Sequence, residues 1–183
     1  MKRSSLAARL GMIFMAITLG ACSATRTQEA PGEVIDDSTT TAKVKSALIA
    51  DPVTKAYQVN VETYRGVVEL GGFVDSNEQK TRATEVAKSV TGVREVRNDL
   101  KVAASTTTGQ KVDDSMITAQ VKTKLIADPA TEAYKINVET KGGVVQLSGF
   151  VDSTSERQHA TEVARSIGGV TSVDNDLEIR QKP

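Results

Sequence analysis

The chain has 183 residues, with 23 Lys and Arg balanced by 23 Asp and Glu, one histidine and one cysteine. A net charge of zero provides no long-range field to gather nucleic acid. One histidine and one cysteine exclude a disulfide framework and a histidine- or cysteine-rich metal centre.

The first element is an export signal. Met1 to Arg9 is basic, Leu10 to Leu19 is apolar and uncharged, and Leu19-Gly20-Ala21 closes the run with small residues before Cys22. The apolar run is shorter than the ~20 residues a spanning helix needs. Its end is similar to a lipoprotein processing site, at which the cysteine sulfur takes a diacylglyceryl group and the cysteine becomes the new N-terminus. Several acyl chains anchor stably where one does not. Ser23 after the cysteine, by resemblance to Gram-negative lipoproteins, implies the outer membrane, on its periplasmic face. Loss of residues 1–21 removes Lys2, Arg3 and Arg9 and takes the net charge from 0 to −3. Residues 22–35 are polar, contain Pro31-Gly32 and predict a flexible tether.

The rest of the chain is a duplication. Asp36–Lys101 aligns without a gap on Asp113–Glu178 at an offset of 77, with 40 of 66 positions identical. The period exceeds the roughly 20–50 residues of solenoid repeats, so each copy is a small domain with its own core. The expected organisation is a signal over 1–21, tether 22–35, module 1 over 36–102, linker 103–112, module 2 over 113–179 and a tail at 180–183. In each module, Asp37-Ser38 or Asp114-Ser115 supplies capping chemistry for a helix whose inner stripe is Val44 and Leu48, or Ile117, Val121 and Leu125. Asp51-Pro52 and Asp128-Pro129 stop that helix. Val59 and Val61, and Ile136 and Val138, alternate with polar residues as half-buried strands do. Gly66 and Gly142-Gly143 mark a hairpin turn, and Val67–Leu70 or Val144–Leu147 is the return strand. A second helix spans 77–90 or 154–167, ends at Gly92 or Gly169, and leads to a short last strand. The fold class is α+β: two α-β-β-α-β modules, each with two helices on a three-stranded sheet.

These residues resemble the BON domain, named for bacterial osmotic-shock-induced and nodulation proteins. The second copy carries Asp114-Ser115, Val138-Glu139-Thr140, Gly143-Val144-Val145, Leu147, Gly149-Phe150-Val151, Gly169-Val170, Val173, Asn175 and Leu177, and the resemblance runs from about Asp36 to Ile179. A signal, a lipid cysteine and two modules are together similar to the dual-BON outer-membrane lipoproteins. The resemblance implies phospholipid binding, with anionic lipid favoured by the second module, and an envelope-maintenance role without a cofactor.

The residues offer little catalytic chemistry. His159, where the first copy has Arg82, is expected on a solvated helix face. The acidic pairs Asp36-Asp37 and Asp113-Asp114 are expected to favour helix starts rather than bind calcium. Gly71-Gly72 lies within a strand, where close backbone approach explains it. No Ser–His–Asp or Cys–His set can be assembled, so binding is expected rather than enzymatic activity. The candidate sites are Cys22 for lipidation and the line Met116, Gln120 and Lys124, with Lys122 nearby, for lipid contact. The first copy has Thr39, Lys43 and Ala47 on that line. The alternative is a protein-interaction adaptor or holdase-like periplasmic chaperone in outer-membrane assembly, whose envelope partners the residues do not identify.

Overall fold

A computed structural model describes residues 31–54, 59–103, 107–131 and 133–180. The signal segment and Cys22 lie outside the described residues. Helix α1 (Pro31–Ala50) leads to the hairpin β1 (Val59–Tyr64) and β2 (Val67–Val74), then α2 (Asn77–Lys88), β3 (Glu95–Asn98) and β4 (Lys101–Val102). The second module repeats this as α3 (Thr108–Ala127), a short 3-10 turn, β5 (Ile136–Lys141), β6 (Val144–Val151), α4 (Thr154–Arg165), β7 (Ser172–Asn175) and β8 (Glu178–Ile179).

Both helices begin earlier than expected. α1 takes in 31–35 of the stretch read as tether, and α3 takes in 108–112 of the stretch read as linker. Thr107 caps α3 by accepting from the Gln110 amide, while the Gln110 side chain accepts from the Thr107 amide, a reciprocal capping box. The acidic pairs are therefore not caps. Asp37 and Asp114 lie well inside their helices and are buried. Asp37 accepts from the Arg65 and Gly66 amides at 2.6 and 2.9 Å, and Asp114 from the Gly142 and Gly143 amides at 2.9 Å each. Each carboxylate clamps the hairpin turn of its own module to the first helix. These amides are available because the turn runs through the left-handed region, at φ 52° and 74° in module 1 and 60° and 76° in module 2.

In each sheet the long central strand pairs antiparallel with the first strand and parallel with the last. The last strand is broken in two: β3 and β4 both pair with β2, and β7 and β8 both pair with β6. The Asn-Asp-Leu step makes the break. Asn98 Oδ1 accepts from the Leu100 amide, and Asn98 Nδ2 donates to Lys80 O and Thr84 Oγ1 on α2; Asn175 repeats the pattern. Leu100 and Leu177 can then turn into the cores, fully buried.

Each module has a separate core. Val44, Leu48, Val61, Val68, Leu70 and Leu100 lie in one cluster, and Val121, Leu125, Val138, Val145, Leu147 and Leu177 in the other. The helices cover one face of each sheet, as the periodicity predicts. The other face is covered as well. Every residue of β2 and β6 after the first is buried, including Glu69 and Gln146. What covers that face is the other module.

Candidate functional site

Two surfaces emerge: an open groove repeated in both modules, and the seam between the sheets. The module 2 groove is bounded by Met116, Ile117 and Gln120 on α3 and floored by Gly142, Gly143, Gly168 and Gly169, with Thr171 at its edge. The equivalent groove in module 1 is lined by Thr39, Thr40 and Lys43 on α1, with Arg65, Gly66, Thr91, Gly92 and Arg94. The same architecture thus offers in module 1 a groove where Lys43, Arg65 and Arg94 outnumber Asp36 and Asp37, and in module 2 a partly apolar one whose charged lining is Asp113 and Asp114.

Of the candidate lipid residues, the groove brings together Met116 and Gln120. Met116 is 56% exposed, as is Val112 one turn before it, so α3 carries an uncovered apolar pair that sequence reasoning missed in part. Lys124 sits further along and donates to Ser166 Oγ at the end of α4, at 2.7 Å. Lys122 is exposed but, at about 100° per residue, points roughly 200° away from Gln120 around the helix. It borders a different face.

His159 is not simply solvated. Its Nε2 lies 2.9 Å from Asp128 Oδ2, the place taken in module 1 by the Arg82 Nε–Asp51 Oδ2 contact at 2.9 Å. Both aspartates follow the first helix, where Asp51 accepts from the Val53 and Thr54 amides and Asp128 from the Ala130 amide. Burial pushes Asp51 up, but the amides of Thr54 and Val53 and the Arg82 guanidinium outweigh it and hold the carboxyl low. Asp128 is held low by the Ala130 amide and His159, and the hydrogen bond to Asp128 raises the His159 imidazole.

The seam is built from the strand faces opposite the cores and has approximate two-fold symmetry. Asn60 Nδ2 donates to Glu139 Oε1 at 3.2 Å, and Asn137 Nδ2 to Glu62 Oε1 at 3.1 Å. The Gly149 amide donates to the Glu69 carboxyl at 2.9 and 3.0 Å, and the Gly72 amide to Gln146 Oε1 at 2.6 Å. A Cβ on Gly71 would stand 2.3 Å from Ser148 Oγ, its counterpart across the seam. Close approach does account for Gly71, though the approaching chain is the other module. Tyr64 packs on Phe150 with ring centroids 5.4 Å apart, and the Arg180 guanidinium lies 5.3 Å from the Tyr64 ring centre.

Glu69 and Gln146 break the symmetry. Gln146 Nε2 donates to Asp99 O and Asp176 Oδ2, both at 2.7 Å. Glu69, 1% exposed, sits among acids. Burial first, then the charges of Asp99, Glu178 and Asp176, push its carboxyl up to about 9 against the opposing pull of the Gly149 amide. Asp99 is raised too, by burial and by Asp176 and Glu178.

The signal that could have revealed the seam lies in β2 and β6, where Val-Val-Glu-Leu-Gly-Gly-Phe-Val and Val-Val-Gln-Leu-Ser-Gly-Phe-Val lack the polar alternation of a one-faced strand. Among the described residues no group of His, Cys, Asp and Glu is arranged to hold a metal, and no helix is long and apolar enough to cross a membrane.

Comparison with known proteins agrees with this duplicated architecture. The profile of the BON domain matches residues 36–104 and again 113–181. The chain is 41% identical over 151 residues to the osmotically-inducible protein Y of Escherichia coli, covering 81% of this chain and 75% of that one. It is 38% identical over 143 residues to the outer membrane lipoprotein DolP of Haemophilus influenzae, covering 78% and 74%. It is also 32% identical to a 21 kDa hemolysin of Actinobacillus pleuropneumoniae over 78% of this chain and 73% of that one. With both repeats matched and relatives aligned across most of their own length, the chain belongs to the BON-domain family as a tandem of two such modules.

Proposed function

We propose that this is a cell-envelope protein that acts by binding rather than catalysis. It is held to the outer membrane through lipidated Cys22, faces the periplasm, and contributes to envelope integrity under stress by meeting phospholipid with module 2. Relatives named as osmotically inducible and as an outer membrane lipoprotein support the envelope and stress reading. The observation that carries the lipid reading is the exposed pair Val112 and Met116 beside a groove with no counterpart cations in module 2. An uncovered apolar stripe at i and i+4 on a helix suits shallow insertion among headgroups and upper acyl chains. Lys124 then lies within reach of lipid phosphate.

The test is flotation of protein lacking residues 1–22 with phosphatidylglycerol vesicles. Met116→Ser with Lys124→Glu should weaken binding roughly tenfold or more, since each unit of charge near an anionic surface is worth about 1 kcal/mol. The mirrored pair in module 1, Thr39→Ser with Ala47→Glu, should change little. Equal loss from both modules, or none from either, favours the adaptor reading. Mass spectrometry of the mature protein showing an unmodified Cys22 would remove the anchor.

A further inference from the structure

The seam distinguishes the two modules by charge. Arg97 Nη1 lies 2.5 Å from Glu178 Oε1 across it. At the position related by the two-fold, Lys101 Nζ lies 3.8 Å from Asp174 Oδ2 and 3.2 Å from Asp176 Oδ2. The 77-residue offset makes Arg97 the counterpart of Asp174 and Lys101 the counterpart of Glu178. Both contacts are therefore the same geometric contact, with the basic partner always on module 1 and the acidic partner always on module 2. One further ion pair runs the other way, Lys141 Nζ to Asp75 Oδ1 at 3.4 Å, and has no charged two-fold mate because Tyr64 stands at the position of Lys141. The contacts of Asn60, Glu62 and Gly72 carry no preference, because these residues are repeated unchanged as Asn137, Glu139 and Gly149. A two-fold interface of this kind is self-complementary, so a pair of like modules could form every one of those contacts. Pairing two copies of module 1 would set Arg97 against Lys101 twice, and pairing two copies of module 2 would set Asp174 against Glu178 twice. Exposed ion pairs attract weakly, whereas like charges forced together at an interface discriminate strongly between partners.

We propose that the seam is a charge-coded pairing site that a second copy of this chain can occupy, module 1 of one chain against module 2 of the other, while pairing of like modules is disfavoured. Each face is complementary to its covalent neighbour and equally to the same face on another chain. Only the effective concentration set by the short linker favours the closed monomer. Reciprocal exchange preserves every seam contact, and each module keeps its own core because the two clusters share no residue.

Full-length chains with charge-sorted seams test this directly. An acidic variant, Arg97→Glu with Lys101→Glu, has acids on both faces; a basic variant, Asp174→Lys with Glu178→Lys, has bases on both. Each alone should remain monomeric with an enlarged hydrodynamic radius and unchanged far-ultraviolet circular dichroism. Mixed at low ionic strength they should form a 1:1 complex of twice the monomer mass, weakened by salt as the charges are screened. A chain with all four substitutions should close again as a compact monomer of wild-type radius, which rules out simple unfolding. The proposal is overturned if the mixture stays monomeric, if either variant dimerises alone as readily as the mixture, or if both keep the wild-type radius.

Discussion

The two modules share a core and differ on their surfaces. Val44, Leu48, Val61, Leu70 and Leu100 recur as Val121, Leu125, Val138, Leu147 and Leu177, all essentially without solvent exposure. The groove changes from Thr39, Lys43, Arg65 and Arg94 to Met116, Gln120, Gly142 and Thr171, and the seam from Glu69, Arg97 and Lys101 to Gln146, Asp174 and Glu178. Duplication leaves both cores under the same packing constraint, since small volume changes in a close-packed interior are felt. Surfaces outside that constraint are free to diverge. At Arg97 and Lys101 module 1 is basic where module 2 has Asp174 and Glu178, and those two contacts pair because of that difference.

The cores differ most at one position, where Thr40 stands in place of Ile117, both buried; Val59 and Val90 stand in place of Ile136 and Ile167. The largest predicted effects follow from it. Leu48→Ala and Leu125→Ala each leave a cavity at a fully covered site, at a typical cost of about 2–5 kcal/mol. With the poorer stripe of Thr40, Val44 and Leu48, module 1 should open first. Amide exchange on the full chain should show α1 and β2 less protected than α3 and β6, and Leu48→Ala should widen the gap while Leu125→Ala closes it. Protection of β2 outlasting that of β6 in wild type would contradict the ranking.

What the sequence could and could not disclose follows the same division. The helix stripes, the order of elements along the chain, the hairpin glycines and the need for close approach at Gly71 were readable because local periodicity and backbone conformation determine them. The clamp by Asp37 and Asp114 was not, because an acidic residue near a helix start has an adequate local explanation, and only the fold brings the hairpin amides to it. The seam escaped because its contacts join residues about 75–80 apart in sequence and two of its polar pairs are made by residues identical in both copies. Met116 was readable as an apolar residue off the core stripe; that Val112 extends it became clear only once α3 was seen to begin at Thr108.

Glu69 gives the sharpest way to probe the asymmetry of the seam. Its folded-state pKa of about 9 lies above the ordinary 4.5, so the folded protein holds a proton that the unfolded chain releases across that interval. The stability this contributes is complete below about pH 4.5 and is lost as pH rises through about 9. Glu69→Gln copies Gln146 and removes the titration. Its amide is then placed to donate to Asp99 and to the Asp176 carbonyl, as Gln146 does in reverse. Thermal unfolding at pH 8 should show the variant more stable by at least about 1 kcal/mol, or about 2–4 °C in Tm. The gap should shrink toward pH 5. A gap that stays constant with pH would mean Glu69 is not protonated in the seam.

The smallest effect separates the modules by titration alone. Arg82 stays charged at every accessible pH and holds Asp51 wherever that carboxyl is ionised, whereas His159 holds Asp128 as an ion pair only while the imidazole is charged. The His159 pKa is raised by the hydrogen bond to Asp128, so the stability it contributes is fully present below about 6.5 and lost as pH rises through the higher folded value. On the other partner the sign reverses. Asp128 is depressed, and its contribution is present above the ordinary carboxyl pKa and lost as pH falls through the lower folded value. The pair is therefore strongest in mildly acidic solution. His159→Arg should abolish the loss above pH 6.5, and Arg82→His should introduce the same loss in module 1. Both comparisons are made in the Glu69→Gln background, so that the larger titration does not overlap. Imidazole chemical shifts report the His159 pKa directly, and a value at or below 6.5 would show that Asp128 does not bind it as an ion.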